Sequence, residues 1–238
     1  MHRFKTLVVG SCLAALTITA LGAPVAAGSH QTRLAIVNGF PGKKIDVCVN
    51  GKEIRSRLPY GKKVFKTTKT AKANIKFFAK DPRKCKGKLL GKKTVSLDDA
   101  TVVITRKKPQ KILVFDNIGL GRIGNAAPPN AAIAIRQASD VGGVNFAVSY
   151  DNVDPNLWTH ATDPEIWQKG DQTSGPDVFG PNGKVVTMWV TLPGSEFVYA
   201  GPHVRYIPSG YRAEWIFIGT NGRNARIVFF KRPATFVL

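Results

Sequence analysis

Cysteine and histidine are scarce in this chain, at three and four of 238 residues. That scarcity excludes a metal centre with close ligand spacing: Cys48 and Cys85 stand apart, and His30, His160 and His203 are scattered. Asp151, Asn152, Asp154 and Asn156 offer calcium-type oxygens but lack the glycine and distal glutamate of a calcium loop, so neither metal nor cofactor is expected. Enzyme signatures are missing too. The chain has no G-x-S-x-G elbow, no H-E-x-x-H pair, no P-loop and no G-x-G-x-x-G between a strand and a helix. Ser149, His160 and Asp163 make a hydrolytic triad on paper, yet nothing in the sequence fixes their geometry, and the expectation is a protein that is not an enzyme. Beyond Leu21 no stretch approaches the ~20 apolar residues of a membrane-spanning helix.

What is present begins with a leader. Arg3 and Lys5 precede an apolar run from Thr6 to Leu21, and Val25-Ala26-Ala27 offers small residues where a signal peptidase reads. The expectation is a signal peptide over 1–27, cleaved after Ala27, and a secreted protein starting at Gly28. An uncleaved anchor fits less well, because the run is short and Gly, Ala and Pro follow at once. Cys12 sits inside the run instead of closing it, which argues against lipidation. Two cysteines then remain, Cys48 and Cys85, and an even count in an exported chain favours a disulfide.

The chain also repeats itself. Leu34-Ala35-Ile36 and Asp46-Val47-Cys48-Val49 align without a gap on Ile133-Ala134-Ile135 and Asn145-Phe146-Ala147-Val148, at an offset of 99. That offset is one small β domain long and predicts two tandem domains, over 30–118 and 131–238, joined by an Ala/Pro linker over 119–130. Ile45, Val47 and Val49 alternate before Asn50-Gly51, a strong hairpin signal, and Thr101 to Thr105 with Ile112 to Phe115 make a second pair of β-branched runs. Trp215 to Ile218 and Ile227 to Phe230 flank a Thr220-Asn221-Gly222-Arg223 turn in the same way. Many short strands without a convincing amphipathic helix predict an all-β protein of two antiparallel β-sandwiches. Lys72, Lys76 and Lys80 share one strand parity while Ala73, Ile75, Phe77 and Ala79 share the other; with Lys69 the spacing also suits a helix, and the strand neighbours decide for a strand.

The pattern Leu34-Ala35-Ile36-Val37, then Pro41, Ile45-Asp46-Val47-Cys48-Val49-Asn50-Gly51 and Pro59-Tyr60-Gly61 resembles the secreted bacterial tandem domain-of-unknown-function family numbered forty-three ninety-seven. The resemblance implies an immunoglobulin-like sandwich in an exported or cell-surface protein, with no established activity. It covers the first copy well. The second copy matches only at Ile133 to Ile135 and Val144 to Val148 and has no Pro-aromatic-Gly, and the His-Ala-Ser-Pro-Asp run common after the family's first strand is replaced by Asn38-Gly39-Phe40-Pro41-Gly42.

Charge separates the copies. Residues 33–116 carry 23 Lys and Arg against 6 Asp and Glu, a net +17, whereas residues 117–238 carry 10 against 9. Lys62, Lys63, Lys66, Lys69, Lys72, Lys76, Lys80, Lys84 and Lys86, with Lys43, Lys44, Arg83, Lys88, Lys92 and Lys93 around them, are either a solvated face or a surface for polyanions. Lysine in excess of arginine suits diffuse attraction to phosphate or carboxylate polymers better than base-specific reading of nucleic acid. The expected partners are anionic cell-wall polymer or acidic polysaccharide, not a specific nucleic acid. A second candidate is the long polar stretch 151–184, where Trp158 and Trp167 either stack on sugar rings or plug the loop onto the sandwich.

Overall fold

The computed structural model describes residues 31–79, 84–106, 111–117, 131–151, 166–172, 177–179 and 183–233; residues 1–27, the 119–130 connection, Lys80, Trp158, His160 and Asp163 fall outside them. Every regular element among the described residues is a strand. The first half runs β1 (Thr32–Asn38), β2 (Ile45–Val49), β3 (Lys52–Leu58), β4 (Lys63–Thr68), β5 (Ala73–Ala79), β6 (Leu89–Val95), β7 (Asp99–Ile104) and β8 (Ile112–Asp116). The second runs β9 (Ala131–Gln137), β10 (Asn145–Tyr150), β11 (Asp177–Phe179), β12 (Lys184–Thr191), β13 (Val198–Ile207), β14 (Tyr211–Ile218) and β15 (Arg226–Pro233).

These strands form four sheets, ordered β4-β1-β7-β8 and β3-β2-β5-β6 in the first half and β11-β9-β14-β15 and β10-β12-β13 in the second. The orders correspond strand for strand once β3 is set aside, which gives the repeat in the sequence a structural meaning. At the offset of 99, β1 falls on β9, and their last residues do the same work. Buried Asn38 donates from Nδ2 to the Lys43 and Leu58 carbonyls and accepts the Phe40 N–H. Buried Gln137 donates to the Gly142 carbonyl and accepts the Ser139 N–H. Each amide side chain thus satisfies the backbone of the loop leaving the first strand.

One feature departs from a purely antiparallel reading. β1 pairs antiparallel with β4 but parallel with β7, and β9 pairs parallel with β14. The chain leaves β1 to build the opposite sheet before returning beside it, and the crossover brings the returning strand in parallel.

The core is layered. Leu34, Ile36, Val102 and Ile104 of the β4-β1-β7-β8 sheet meet Ile45, Val47, Ile75 and Phe77 of the β3-β2-β5-β6 sheet. Ile133, Ala213 and Trp215 meet Val186, Met188 and Ile207 in the second half. A third cluster joins the halves: Ala35, Val37, Val103 and Phe115 pack on Ile216, Ile218, Val228 and Phe230. The four sheets therefore stack as outer, inner, inner, outer. β1, β7, β9 and β14 are covered on both faces, which is why they read as nearly unbroken apolar runs. From Ala73 to Phe77, β5 is covered on one face only. Ala73, Ile75 and Phe77 are buried and Asn74 and Lys76 exposed, the strand pattern expected from the lysine parity.

The Pro59-Tyr60-Gly61 turn has a role in this stack. The Tyr60 hydroxyl donates to the Asn224 carbonyl, and the Arg226 guanidinium lies 4.4 Å over the Tyr60 ring. Gly61, at φ +73°, leaves its Cβ position to Arg226, whose Cδ would stand 2.8 Å from it. Burial pushes the Tyr60 hydroxyl up to about 12, against the lowering pull of Arg226. The turn docks one sandwich on the next.

Candidate functional site

The outer face of the β3-β2-β5-β6 sheet is the one broad surface of the first half that points away from the second. Its geometry starts at the β2–β3 hairpin. Asn50 and Gly51 both take positive φ, +50° and +78°, as a two-residue turn of the primed type requires. Asn50 then ties the hairpin to β5, its N–H donating to the Asn74 carbonyl at 2.9 Å and its Oδ1 accepting the Asn74 N–H at 2.8 Å. Thr94 Oγ1 donates to Asn74 Oδ1 at 2.8 Å, which fixes that amide, and among the described residues no acceptor takes its Nδ2. Asn50, Asn74 and Thr94 thus form one cross-strand row of sugar-compatible amides and a hydroxyl.

The neighbouring row is cationic. Register places Cys48 beside Lys76 and Lys76 beside Lys92. The amide row with Lys76 and Lys92, together with Gly51, Ile75 and Lys93, lines an open groove of about 680 Å³. Neither Lys76 nor Lys92 has a carboxylate within ion-pair reach among the described residues. Glu53, opposite Cys48 on β3, stands at the far side. Asp46 faces outward but is buried, and it accepts the Arg57 N–H at 2.7 Å where β3 bulges. Further along the cationic row, Cys48 on the sheet is disulfide-bonded to Cys85 in the β5–β6 turn, with Cα atoms 5.9 Å apart.

The lysines expected on a polyanion face are spread over both sheets of the first half instead of forming one row. Lys76 is in the groove floor. Lys84 and Lys86 are exposed beside Cys85, and Lys69 and Lys72 are exposed in the β4–β5 turn. Lys62 is exposed before β4, and Lys66 lies on that edge strand. Lys63 turns the other way, donating from Nζ to the Phe229 carbonyl at 2.7 Å across the stack. Burial, with Lys62 and Arg205 nearby, pulls its ammonium below the ordinary lysine range. Asn50, Asn74 and Thr94 were absent from the sequence candidates. Their only signal is the hairpin dipeptide, because the row exists only through cross-strand register.

The second concentration of charge is interior. Glu214 and Asp99, both buried where the inner sheets face each other, are ringed by Arg33, Arg136, Arg212 and Arg232. Arg232 Nη2 bridges them, 2.8 Å from Asp99 and 3.0 Å from Glu214, and Thr101 of the first half donates to Glu214 at 2.6 Å. Arg136 is fully buried, 3.2 Å from Glu214 and 4.9 Å over the Phe115 ring. Burial raises both carboxyls, but the arginines outweigh it and hold each below its usual range, while burial drops Arg136 to about 10. Every member serves the contact between halves.

Trp167 packs edge-on against Phe146, with centroids 5.1 Å apart, and exchanges both backbone hydrogen bonds with Val144. That is the plugging geometry, although with Ile166, Asp171 and Gln172 it also lines a small cleft of about 150 Å³. Trp158 lies outside the described residues. So do His160 and Asp163, leaving only Ser149 of the paper triad in view, buried on β10. No group of metal-ligating side chains occurs among the described residues.

No protein-family model matches this chain, and no curated protein matches it. Among solved structures, the chain is similar to CBMbc, a family CBM26 module from Eubacterium rectale Amy13K in complex with maltoheptaose. The match covers 86% of this chain and 98% of that one at 11% identity, with a TM-score of 0.25. So loose a superposition says nothing of a ligand.

Proposed function

We propose that this chain is an exported, non-catalytic binding protein of the cell envelope or extracellular space, and that it holds an anionic polymer along the outer face of its first sandwich. One observation carries the reading: Lys76 and Lys92 stand in a solvent-facing groove without carboxylate partners, beside a row of amides and a hydroxyl, in the half that carries a net +17. Ammonium groups attract repeated carboxylates or phosphates, and the Asn50, Asn74 and Thr94 row suits the hydroxyls between them, so an acidic polysaccharide fits best. Among the described residues no aromatic ring lines the groove, and base stacking has no platform on them. The leader-like segment and the family resemblance of residues 34–61 support export.

The test is binding of the full chain to polygalacturonate at several salt concentrations. Affinity should fall log-linearly with salt as counterions are released. Lys76→Gln with Lys92→Gln should weaken binding about tenfold, roughly 1.4 kcal/mol, while stability moves by under about 0.5 kcal/mol. Binding that ignores both salt and these lysines overturns the reading.

A further inference from the structure

The Cys48–Cys85 bridge sits on the binding face itself. In a plain hairpin the turn after β5 projects beyond the sheet, and lysines carried there would be remote from the floor. Here Cys48 points outward from β2, in the same cross-strand row as Lys76 and Lys92. Bonding Cys85 to it brings the turn back over the outer face, and the two Cα atoms end 5.9 Å apart. The local backbone follows suit: Cys85 takes φ +53° and Gly87 φ +105°, left-handed values that reverse the chain. Phe78, which also faces outward at that end, is covered to 8% exposure. Lys84 and Lys86 each follow or precede Cys85 by one residue and are exposed. With ~3.8 Å between consecutive Cα atoms and ~5.5 Å across the β2–β5 pair, both lie within about 15 Å of Lys76 along this path.

We infer that the disulfide is a positioning device for ligand binding: it holds Lys84 and Lys86 beside the floor cations, so that the groove takes an extended anion with several charges and not a single phosphate or carboxylate. The inference rests on the proposed function and specifies how that site selects its ligand. Without the bridge the turn is free to leave the face, and the floor keeps only Lys76 and Lys92 with the amide row. A polymer bridging turn and floor then loses half its contacts, whereas a monoanion loses nothing it had.

The experiment measures polygalacturonate and inorganic phosphate binding by the full chain in four forms: unchanged, Cys48→Ala with Cys85→Ala, Lys84→Gln with Lys86→Gln, and all four substitutions together. Removing the bridge should cost about tenfold in polymer affinity, and the lysine pair should cost about the same. Their combination should cost no more than the lysine pair alone, because the bridge acts through those lysines. Phosphate binding should be undetectable throughout. Additive losses, or unchanged affinity without the bridge, overturn the inference while leaving the groove reading intact if Lys76→Gln with Lys92→Gln still weakens polymer binding about tenfold. If that floor pair has no effect either, the groove reading itself fails. Should the bridgeless protein not fold, the Lys84→Gln, Lys86→Gln form decides alone, and undiminished polymer affinity there overturns the inference.

Discussion

The two sandwiches share a frame and differ in what they show to solvent. The first outer sheet presents Lys76, Lys92, Asn74 and Thr94, all exposed. On the corresponding face of the second outer sheet Ala147, Ser149, Thr187, Trp189 and Thr191 are buried, and Val204 and Tyr206 of β13 are exposed. The inner sheets share their strand order. An inner strand must satisfy a core on each face and has little freedom to drift, while an outer strand answers to one core and to whatever the protein meets. The groove with Lys76 and Lys92 therefore sits on an outer layer, and the repeat runs through inner strands β1 and β9 and outer strands β2 and β10 alike.

The sharpest way to break the comparison is to separate the halves, because the inner faces should be interchangeable with solvent only if the pairing is incidental. Glu214 tests this within the intact chain. Its carboxylate is fully buried among Arg136, Arg212 and Arg232, and replacing it with alanine leaves those cations uncompensated. Glu214→Ala should cost about 3–5 kcal/mol in a denaturant melt. Each half expressed alone should fare worse, exposing Val37, Val103 and Phe115 or Ile216, Ile218 and Phe230 to water, and should aggregate or melt far below the whole. A separated first half that melts like the parent would show that the stack is dispensable.

How much of this was legible in the sequence follows from the same layering. The β5 strand, the Asn50-Gly51 hairpin and the offset of 99 were readable because each is written within a few residues or a fixed interval, and the Cys48–Cys85 bridge because two cysteines remain after the leader. The stacking of the halves was not. Strand alternation in Leu34-Ala35-Ile36-Val37 turns Leu34 and Ile36 inward, and nothing local says that Ala35 and Val37 are buried as well. The arginine ring is drawn from positions spread over 33–232, and its only trace is an arginine closing the apolar Ala131–Ile135 run and a glutamate preceding Trp215-Ile216-Phe217. A charge inside an apolar run is the signal that could have revealed a buried ion pair. The parallel pairings likewise need the crossover, which no local pattern records.

A middle-sized effect compares the repeat with itself. Asn38 makes three hydrogen bonds to buried or part-buried backbone and Gln137 makes two. Alanine at either position orphans those groups, and the cost should scale with their number. Asn38→Ala should destabilise by about 2–3 kcal/mol and Gln137→Ala by about 1–2, read from urea midpoints at unchanged slope. A larger loss at Gln137 would show that the two copies do not use the position alike.

The smallest expected effect lies on the second sandwich alone. Burial, with Arg205 beside it, lowers the His203 imidazole to about 4, and its ring packs 5.9 Å from Phe229. In the unfolded chain it titrates near 6.5. Between those values the unfolded state binds the extra proton, so stability present above about pH 6.5 is lost as pH falls toward 4. Asp99 and Glu214, held below the ordinary carboxylate range, add their loss only at still lower pH. The two windows can be told apart: His203→Gln should flatten the stability curve between pH 6.5 and 4 and leave the steeper acid limb in place. Solvent at the half-buried ring weakens the effect, so a change of under about 1 kcal/mol is expected across that window. A His203 imidazole that titrates near 6.5 by NMR in the folded protein would remove the first window and leave acid sensitivity wholly to the carboxylates between the halves.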